Sequence, residues 1–228
     1  MMLLAVMSWI VLAAALAWLA YGSACISSGV YVKALCRGNA GEKRVYLTFD
    51  DGPSPENTGK VLDVLEKFGA KGTFFCIGSR LEGNRKTVER IIAGGHAIGN
   101  HSWSHSPWFP LFRSGKMQDD LLRCSSSLKR ITGLDTVLFR PPFGVTNPTV
   151  AEAAENLGFI VAGWNIRTYD TTGKSAEEIV SSVARRLRPG SVILMHDRLP
   201  GCADALEKLL LYLQSEGYAA DRTMNDIL

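Results

Sequence analysis

The chain has 228 residues, of which 46% are hydrophobic and 21% are charged, the balance of an ordinary globular protein. The net charge of +3, with no long basic run, excludes nucleic-acid binding as the main function. The five cysteines, an odd number without metal-knuckle spacing, predict no disulfide framework and no structural zinc site.

The first predicted element is a membrane anchor. Residues 1–32 contain no Asp, Glu, Lys or Arg, and the apolar stretch from Met2 to Ala20 is broken only by Ser8. Nineteen residues at about 1.5 Å per residue span roughly 29 Å, enough to cross a hydrocarbon core. A cleaved signal peptide usually has a positive start and a shorter apolar run. We therefore predict a single-pass anchor at residues 1–22, a linker at 23–42 and one domain at 43–228.

From residue 45 onward, short apolar strands alternate with helices. The predicted strands lie at 45–49, 72–78, 97–102, 137–144, 159–166, 191–197 and 218–222. The predicted helices lie at 57–68, 86–95, 117–132, 149–157, 175–187 and 203–215, with a capping box from Ser175 to Glu178. This alternation predicts an α/β fold with a parallel sheet and helical crossovers, either open or closed into a barrel.

In both architectures the chemistry lies at the carboxyl ends of the strands. The residues at these ends are Asp50, Asp51, His101, His105, Arg140, Trp164, Asp170, His196 and Asp197. Three of the four histidines fall in this set. The fourth, His96, begins a strand and is predicted to be structural or solvent-facing.

The sequence HSWSH at 101–105 places two imidazoles four residues apart. On one helical turn they would share a face and converge on a metal ion, although this pattern alone is weak. A carboxylate from another strand end would complete a two-histidine, one-carboxylate set suited to Zn²⁺ or another divalent first-row metal. Of the adjacent acids Asp50 and Asp51, one can then bind the metal while the other acts as general base.

Five motifs occur in one order along the chain: TFDDGP at 48–53, HSWSH at 101–105, RPPFG at 140–144, WNIRTYD at 164–170 and LMHD at 194–197. Together they resemble the NodB-type polysaccharide deacetylases, carbohydrate esterase family 4, over residues 43–228. The resemblance implies a distorted (β/α) barrel of about seven parallel strands. It also implies hydrolysis of N-acetyl groups on amino-sugar polymers with one divalent metal, Zn²⁺ first and Co²⁺, Mn²⁺ or Ni²⁺ as alternatives.

The resemblance also implies a role for each matching residue. Asp50 matches the general base, Arg140 the arginine that orients it, and Asp170 the acid that fixes this arginine. His196 matches the general acid that protonates the leaving amine. The matching metal ligands are Asp51, His101 and His105.

The same resemblance describes the walls of the pocket. Phe143 stands where the family often has Tyr, and its backbone N–H would stabilise the oxyanion. Trp164 and Leu194 would line the pocket for the acetyl methyl group. Thr171 stands where the family often has Trp, so the pocket would be wider or would be walled by other residues.

The partners implied are an acetylated glycan and, through the N-terminal helix, a membrane, with no nucleic acid. Family analogy places the domain outside the cytoplasm, whereas Lys33, Arg37, Lys43 and Arg44 after the anchor favour the cytoplasmic side. Two other functions stay open at this point. One is a deformylase or deacetylase of a lipid-linked sugar, and the other is a catalytically silent glycan-binding protein at the membrane.

Overall fold

The computed structural model describes residues 2–228, so Met1, the first residue of the predicted anchor, lies outside the described residues. Seven α-helices are present: α1 (Met2–Ala24), α2 (Thr58–Lys67), α3 (Arg85–Ala93), α4 (Ser114–Thr132), α5 (Pro148–Asn156), α6 (Ala176–Ala184) and α7 (Cys202–Ser215). Seven strands form the sheet: β1 (Val45–Gly52), β2 (Gly72–Cys76), β3 (Ala97–Asn100), β4 (Leu138–Phe139), β5 (Ile160–Val161), β6 (Ile166–Arg167) and β7 (Ser191–His196).

All seven strands are parallel, in the order β5-β4-β3-β2-β1-β7-β6. Strand β1 lies at the centre and is buried along its whole length. Both faces are covered, as is usual for parallel sheets with helical crossovers. The predicted parallel sheet of about seven strands is thus confirmed.

The sheet curls into a half-barrel. Strands β5 and β6 lie at opposite edges of the sheet, yet only residues 162–165 separate them in the chain. A connection from Val161 to Ile166 spans at most roughly 18 Å even when fully extended. The two edges must therefore lie close together. The prediction of one continuous strand at 159–166 is wrong, because the chain here crosses from one edge to the other.

The segment from Leu35 to Gly38, part of the predicted linker, lies between the two edges. The Leu35 N–H donates to the Val161 carbonyl at 2.8 Å, and the Leu35 carbonyl accepts from the Gly163 N–H at 3.0 Å. Three residues later, the Gly38 N–H donates to the Gly190 carbonyl, also at 2.8 Å. This segment therefore bridges the open side of the half-barrel by backbone hydrogen bonds.

Helix α1 is apolar and exposed over almost its whole length. The helix has 23 residues, and its most apolar 18-residue stretch has a mean hydropathy of 2.3, so it is long and apolar enough to cross a membrane. Its carboxyl end is attached to the domain. The Thr146 hydroxyl donates to the Gly22 carbonyl at 2.7 Å, and the Thr146 N–H donates to the Ser23 carbonyl at 3.2 Å. Ile26 follows, and only 4% of it is exposed.

Local features define two of the helix ends. The Ser175 hydroxyl accepts from the Glu178 N–H at 3.2 Å, and the Glu178 carboxylate accepts from the Ser175 N–H at 2.8 Å, which is the predicted capping box. Helix α4 ends at Gly133, whose φ of 72° is the left-handed conformation that glycine adopts without strain. Such caps are local, and the sequence alone therefore reveals them.

The predicted strand at 218–222 does not form. Only Ala219 makes a β-bridge, to Arg44, while the next carbonyl, of Ala220, accepts from the Lys71 N–H at 2.7 Å. Because neighbouring residues pair with different segments, no continuous ladder can develop.

His96, Cys76 and Cys124 are buried. All five cysteines of the chain are free thiols. Burial lowers the pKa of His96 to about 4, so its ring is neutral and Nδ1 accepts a hydrogen bond from the Gly72 N–H at 3.2 Å. His96 therefore has a structural role beside strand β2.

Candidate active site

The two adjacent acids lie where β1 ends. In a regular strand, consecutive side chains point to opposite faces of the sheet. Here the register between β1 and β2 shifts between Asp50 and Gly52, and Asp51 has a φ of 72°. Both carboxylates consequently face one cavity. The irregularity lets a single strand end supply two acids with different neighbours.

Asp51 and two histidines form a candidate metal site. The Asp51 Oδ1 atom lies 3.4 Å from His101 Nε2 and 3.1 Å from His105 Nε2, and the three ligand atoms all lie within 4.8 Å of one another. Tetrahedral coordination with bonds of about 2.0–2.2 Å would separate ligand atoms by roughly 3.3–3.6 Å. These three residues therefore fit a divalent ion such as Zn²⁺.

A backbone carbonyl determines which nitrogen of His101 faces the site. The Nδ1 atom lies 2.7 Å from the Arg140 carbonyl oxygen, which can only accept, so Nδ1 carries the proton. The Nε2 atom then points toward Asp51 and is the nitrogen that would bind a metal ion. Hydrogen bonds of this kind orient metal-binding imidazoles in proteins.

The two histidines do not share a helical turn, and that prediction is wrong. Residues 101–105 form a loop in which Ser102 and His105 have positive φ values of 64° and 44°. The loop is held by the Ser102 hydroxyl, which accepts from the His105 N–H at 2.9 Å. It is also held by the Asp120 carboxylate, which accepts from the Trp103 N–H at 2.7 Å. These bonds, and not helical spacing, bring the imidazoles together.

Asp51 is held in its ionised form. Burial alone would raise its pKa, but hydrogen bonds with His101 and His105 and the Arg198 guanidinium together hold the pKa well below its ordinary value. The Arg198 Nε–H donates to Asp51 Oδ2 at 2.8 Å, leaving Oδ1 facing the histidines. This contact was not predicted from the sequence.

Arg140 lies beneath the acids and is completely buried. Its Nη1 donates to Asp50 Oδ1 at 2.7 Å and to the Thr48 hydroxyl at 2.9 Å. Its other nitrogens donate to the carbonyls of Ala162 at 3.2 Å and Gly163 at 2.8 Å. The predicted contact with Asp50 is present, and the connection between the sheet edges holds the arginine in place.

Asp170 does not fix Arg140, and this prediction is wrong. Its carboxylate instead accepts from His196 Nδ1 at 2.8 Å and from the His196 backbone N–H at 2.7 Å. The reason is the strand order: β6 pairs with β7, so the turn after β6 lies beside the end of β7. Burial alone would lower the pKa of His196, but the bond and the charge of Asp170 raise it above its ordinary value.

The acids and imidazoles open into a cavity of about 260 Å³, hereafter the catalytic cavity. Its lining includes every predicted pocket residue, namely Phe143, Trp164 and Leu194, and also Thr171, Arg167 and Arg198. The ring of Phe143 packs against His105 with 4.8 Å between ring centroids. Gly144 has a φ of 70°, and a Cβ there would overlap the Trp164 indole. A glycine is thus needed for this turn to approach the tryptophan.

Arg167 is a lining residue that the sequence did not identify. It lies in the WNIRTYD segment at the end of β6, and a charge at a strand end was the available signal. Its strand was not recognised as separate from β5, so its position relative to the site could not be derived.

Replacing Asp170 with asparagine should shift the pH profile of the N-acetyl hydrolysis that the family resemblance implies. Without the carboxylate the pKa of His196 falls, so the protonated imidazole persists only to lower pH. We expect the alkaline limb of kcat/KM to move to lower pH and kcat to fall about tenfold or more. Asp135→Asn, at a surface acid paired with Lys129, is the matched control. An unchanged alkaline limb would show that Asp170 does not set the pKa of His196.

Asp197 should make stability depend on pH. It is 1% exposed, Oδ2 accepts from the Thr58 hydroxyl at 2.5 Å, and Oδ1 has no partner among residues 2–228. Burial raises its pKa to about 7, so between about pH 4 and 7 the folded state keeps a proton that the unfolded state loses. Stability therefore falls as pH rises through this window.

Asp197→Asn removes this titration. We expect the metal-free variant to lose the fall in stability between about pH 4 and 7. Its free energy of unfolding at pH 8 should exceed that of the unaltered protein by about 2 to 4 kcal/mol, measured by urea unfolding across pH. The exposed acid Asp204 provides the control substitution, Asp204→Asn. Parallel pH curves for Asp197→Asn and the unaltered protein would contradict the assignment.

The fold and the site together define a class: a (β/α) half-barrel with a candidate metal site at the carboxyl ends of its strands. The family model described as polysaccharide deacetylase matches residues 37–162. The chain is 35% identical to a peptidoglycan-N-acetylglucosamine deacetylase of Bacillus cereus over 184 residues, 79% of this chain and 66% of that protein. It is also 35% identical to the deacetylase PgdA of Listeria monocytogenes, over 77% of this chain and 37% of that protein.

This chain belongs to the polysaccharide deacetylase family. Among solved structures, the Bc1960 peptidoglycan N-acetylglucosamine deacetylase has a TM-score of 0.79 at 33% identity, covering 85% of this chain and 91% of that one. A pseudoenzyme of the same carbohydrate esterase family from Bacillus anthracis has a TM-score of 0.75 at 26% identity, covering 81% and 65%. The chain spans 66% and 37% of the lengths of the two curated relatives above, so part of each has no counterpart in it.

Proposed function

We propose that the protein is a metal-dependent hydrolase that removes N-acetyl groups from the amino sugars of a peptidoglycan-type glycan. The observation that carries this proposal is the catalytic cavity itself. Three candidate metal ligands converge there next to a second acid, Asp50, and His196 lines the same cavity. The curated relatives that carry such names support the choice of substrate.

Each side chain then has a distinct part in the reaction. A divalent ion held by Asp51, His101 and His105 would supply Lewis acidity and lower the pKa of water in the cavity. Asp50 accepts the proton of the attacking water, and the Arg140 guanidinium orients it and balances its charge. His196 acts on the amide nitrogen, and the turn at Phe143 acts on the carbonyl oxygen.

His196 donates the proton that the departing amine needs, and its raised pKa favours the protonated form that this step requires. The backbone N–H of Phe143 lies in the turn that lines the cavity and would donate to the developing negative charge on the carbonyl oxygen. The products are acetate and a free amino sugar, so the atoms of the amide and of one water are accounted for.

The direct test is metal reconstitution. We expect chelated protein to release no acetate from N-acetylated glycan chains and to recover activity with Zn²⁺ or Co²⁺. The measurements are acetate release and metal content on the same sample. Full activity in protein shown to contain no metal would contradict the proposal.

A catalytically silent glycan-binding protein is the second candidate, favoured by the family's pseudoenzyme among the structural neighbours. Against it, the residues that we propose as metal ligands, base and acid all line one cavity in this chain. Zinc-loaded protein that binds glycan but releases no acetate would support this second candidate.

For location, we propose that α1 is a retained single-pass anchor with the domain on the extracytoplasmic side, where a wall glycan lies. The anchor is supported by the length and hydropathy of α1, and by the hydrogen bonds from Thr146 to the Gly22 and Ser23 carbonyls, which attach the end of α1 to the domain. A reporter fused to the carboxyl terminus tests the side. A cytoplasmic signal would instead agree with Lys33 and Arg37 after the helix.

A further inference from the structure

A second and larger cavity lies beside the catalytic one. Its volume is about 750 Å³, and it lies between the segment after α1 and the end of β6. The lining residues that matter here are Cys25, Arg37, Trp164, Arg167, Tyr169 and Arg186. We call this the basic cavity, because the lining has three arginines and contains no aspartate or glutamate.

The three arginines are not neutralised by the protein. Within residues 2–228, none of Arg37, Arg167 and Arg186 has a carboxylate within 4.0 Å, although other arginines of this chain, such as Arg44 and Arg90, are paired. Guanidinium groups bind phosphate and carboxylate oxygens through charge-assisted hydrogen bonds. Three arginines without a carboxylate partner line one cavity, Arg167 half-buried and Arg37 and Arg186 exposed, and together they favour a ligand with more than one negative charge.

Arg167 is the best placed of the three. Its guanidinium carbon lies 6.0 Å from the ring centroid of Trp164 and 5.4 Å from that of Tyr169, so aromatic faces flank it. Its Nε is buried and has no hydrogen-bond partner among the described residues. A buried donor without a partner is costly, and an anionic ligand in the cavity would satisfy it.

The basic cavity extends from the catalytic cavity to the end of helix α1. Trp164 and Arg167 line both it and the catalytic cavity. At its other end the lining includes Ala24, the last residue of α1, and Cys25. If α1 crosses a membrane, the basic cavity lies at the level of the lipid headgroups, with the catalytic cavity directly adjacent.

We propose that the basic cavity binds the phosphate groups of a lipid-linked N-acetylated glycan, and that such a glycan is a substrate of the neighbouring catalytic cavity. The proposal rests on the proposed deacetylase function and names its substrate class. A diphosphate carries enough charge for three arginines, and the shared wall at Trp164 would place the attached sugar near Asp50. A separate anionic phospholipid offers the same phosphate chemistry, and the experiment distinguishes the two sources.

The test uses the full-length, zinc-loaded protein in detergent with two substrates. One is an N-acetylated disaccharide linked through diphosphate to a prenyl chain, and the other is the same disaccharide as a neutral alkyl glycoside. The variant is Arg37→Gln/Arg186→Gln, since neither residue lines the catalytic cavity. The matched control is Arg185→Gln, an exposed neighbour that does not line the basic cavity.

We expect KM for the diphosphate-linked substrate to rise about tenfold per arginine removed, with kcat unchanged, because each lost charge-assisted contact weakens binding by roughly that factor. For the alkyl glycoside, kcat/KM should stay within about twofold of wild type. Arg185→Gln should match wild type on both substrates. Equal losses on both substrates, or no loss on either, would overturn the proposal.

Two further measurements separate the remaining outcomes. In one outcome of the first, added phosphatidylglycerol raises the rate of acetate release from both substrates equally, and the double variant loses only this increase. That result would show that the cavity binds a phospholipid and that the proposal is wrong. If wild type releases acetate from neither substrate, the proposed function fails. Titration of prenyl diphosphate into the zinc-loaded wild type and double variant then tests the basic cavity alone. Weaker binding by the double variant would support phosphate binding in the basic cavity, and equal binding would overturn it.

Discussion

We expect His101→Ala to lose both bound zinc and acetate release, whereas Asp50→Asn loses acetate release and keeps its zinc. The reason is that His101 Nε2 lies 3.4 Å from Asp51 Oδ1 among the candidate ligands, while Asp50 is bonded to Arg140. Losing one of three protein ligands should weaken zinc binding by more than about a hundredfold. Losing the general base should lower kcat by about 10²–10⁴-fold.

Metal content by mass spectrometry and acetate release under saturating substrate check this pair together. His96→Gln serves as a control histidine, because His96 lies beside β2 and bonds the Gly72 N–H, away from the site. It should keep its zinc. Wild-type turnover in Asp50→Asn would show that Asp50 is not the base, and zinc loss in that variant would show that it is a ligand.

Arg140→Met should damage both stability and activity. The guanidinium is completely buried and hydrogen-bonds to Asp50, to Thr48 and to two backbone carbonyls. Removing it leaves the buried Asp50 carboxylate without its cation, which costs about 3–5 kcal/mol of unfolding free energy. It should also lower kcat at least about a hundredfold, because the base loses its orientation.

Urea unfolding and kcat measurements check this expectation, and two further variants sharpen it. Arg90→Met, at an exposed arginine paired with Asp63, should cost at most about 1 kcal/mol. The double variant Asp50→Asn/Arg140→Met should recover part of the lost stability, since the uncompensated charge is gone. If Arg140→Met were as stable as Arg90→Met, the buried pair would not contribute as described.

The sequence was informative wherever the cause is local. The alternation of apolar strands with amphipathic helices predicts the parallel sheet, and the capping box at Ser175 predicts the start of α6. Because the carboxyl ends of parallel strands meet at one edge, the acids and imidazoles after β1, β3 and β7 could be predicted to meet. The motifs then supplied a family that the comparisons confirm.

Other features depend on contacts between residues far apart in the chain. Whether Asp170 bonds Arg140 or His196 depends on which strand pairs with β6, and no local pattern carries that information. The same holds for the segment at Leu35, which bridges the sheet edges, and for Arg198, which contacts Asp51. The sequence by itself determined which chemical groups are present and at which strand ends they lie. Only the tertiary structure decided their partners, because strand order and loop conformation place each group against its neighbours.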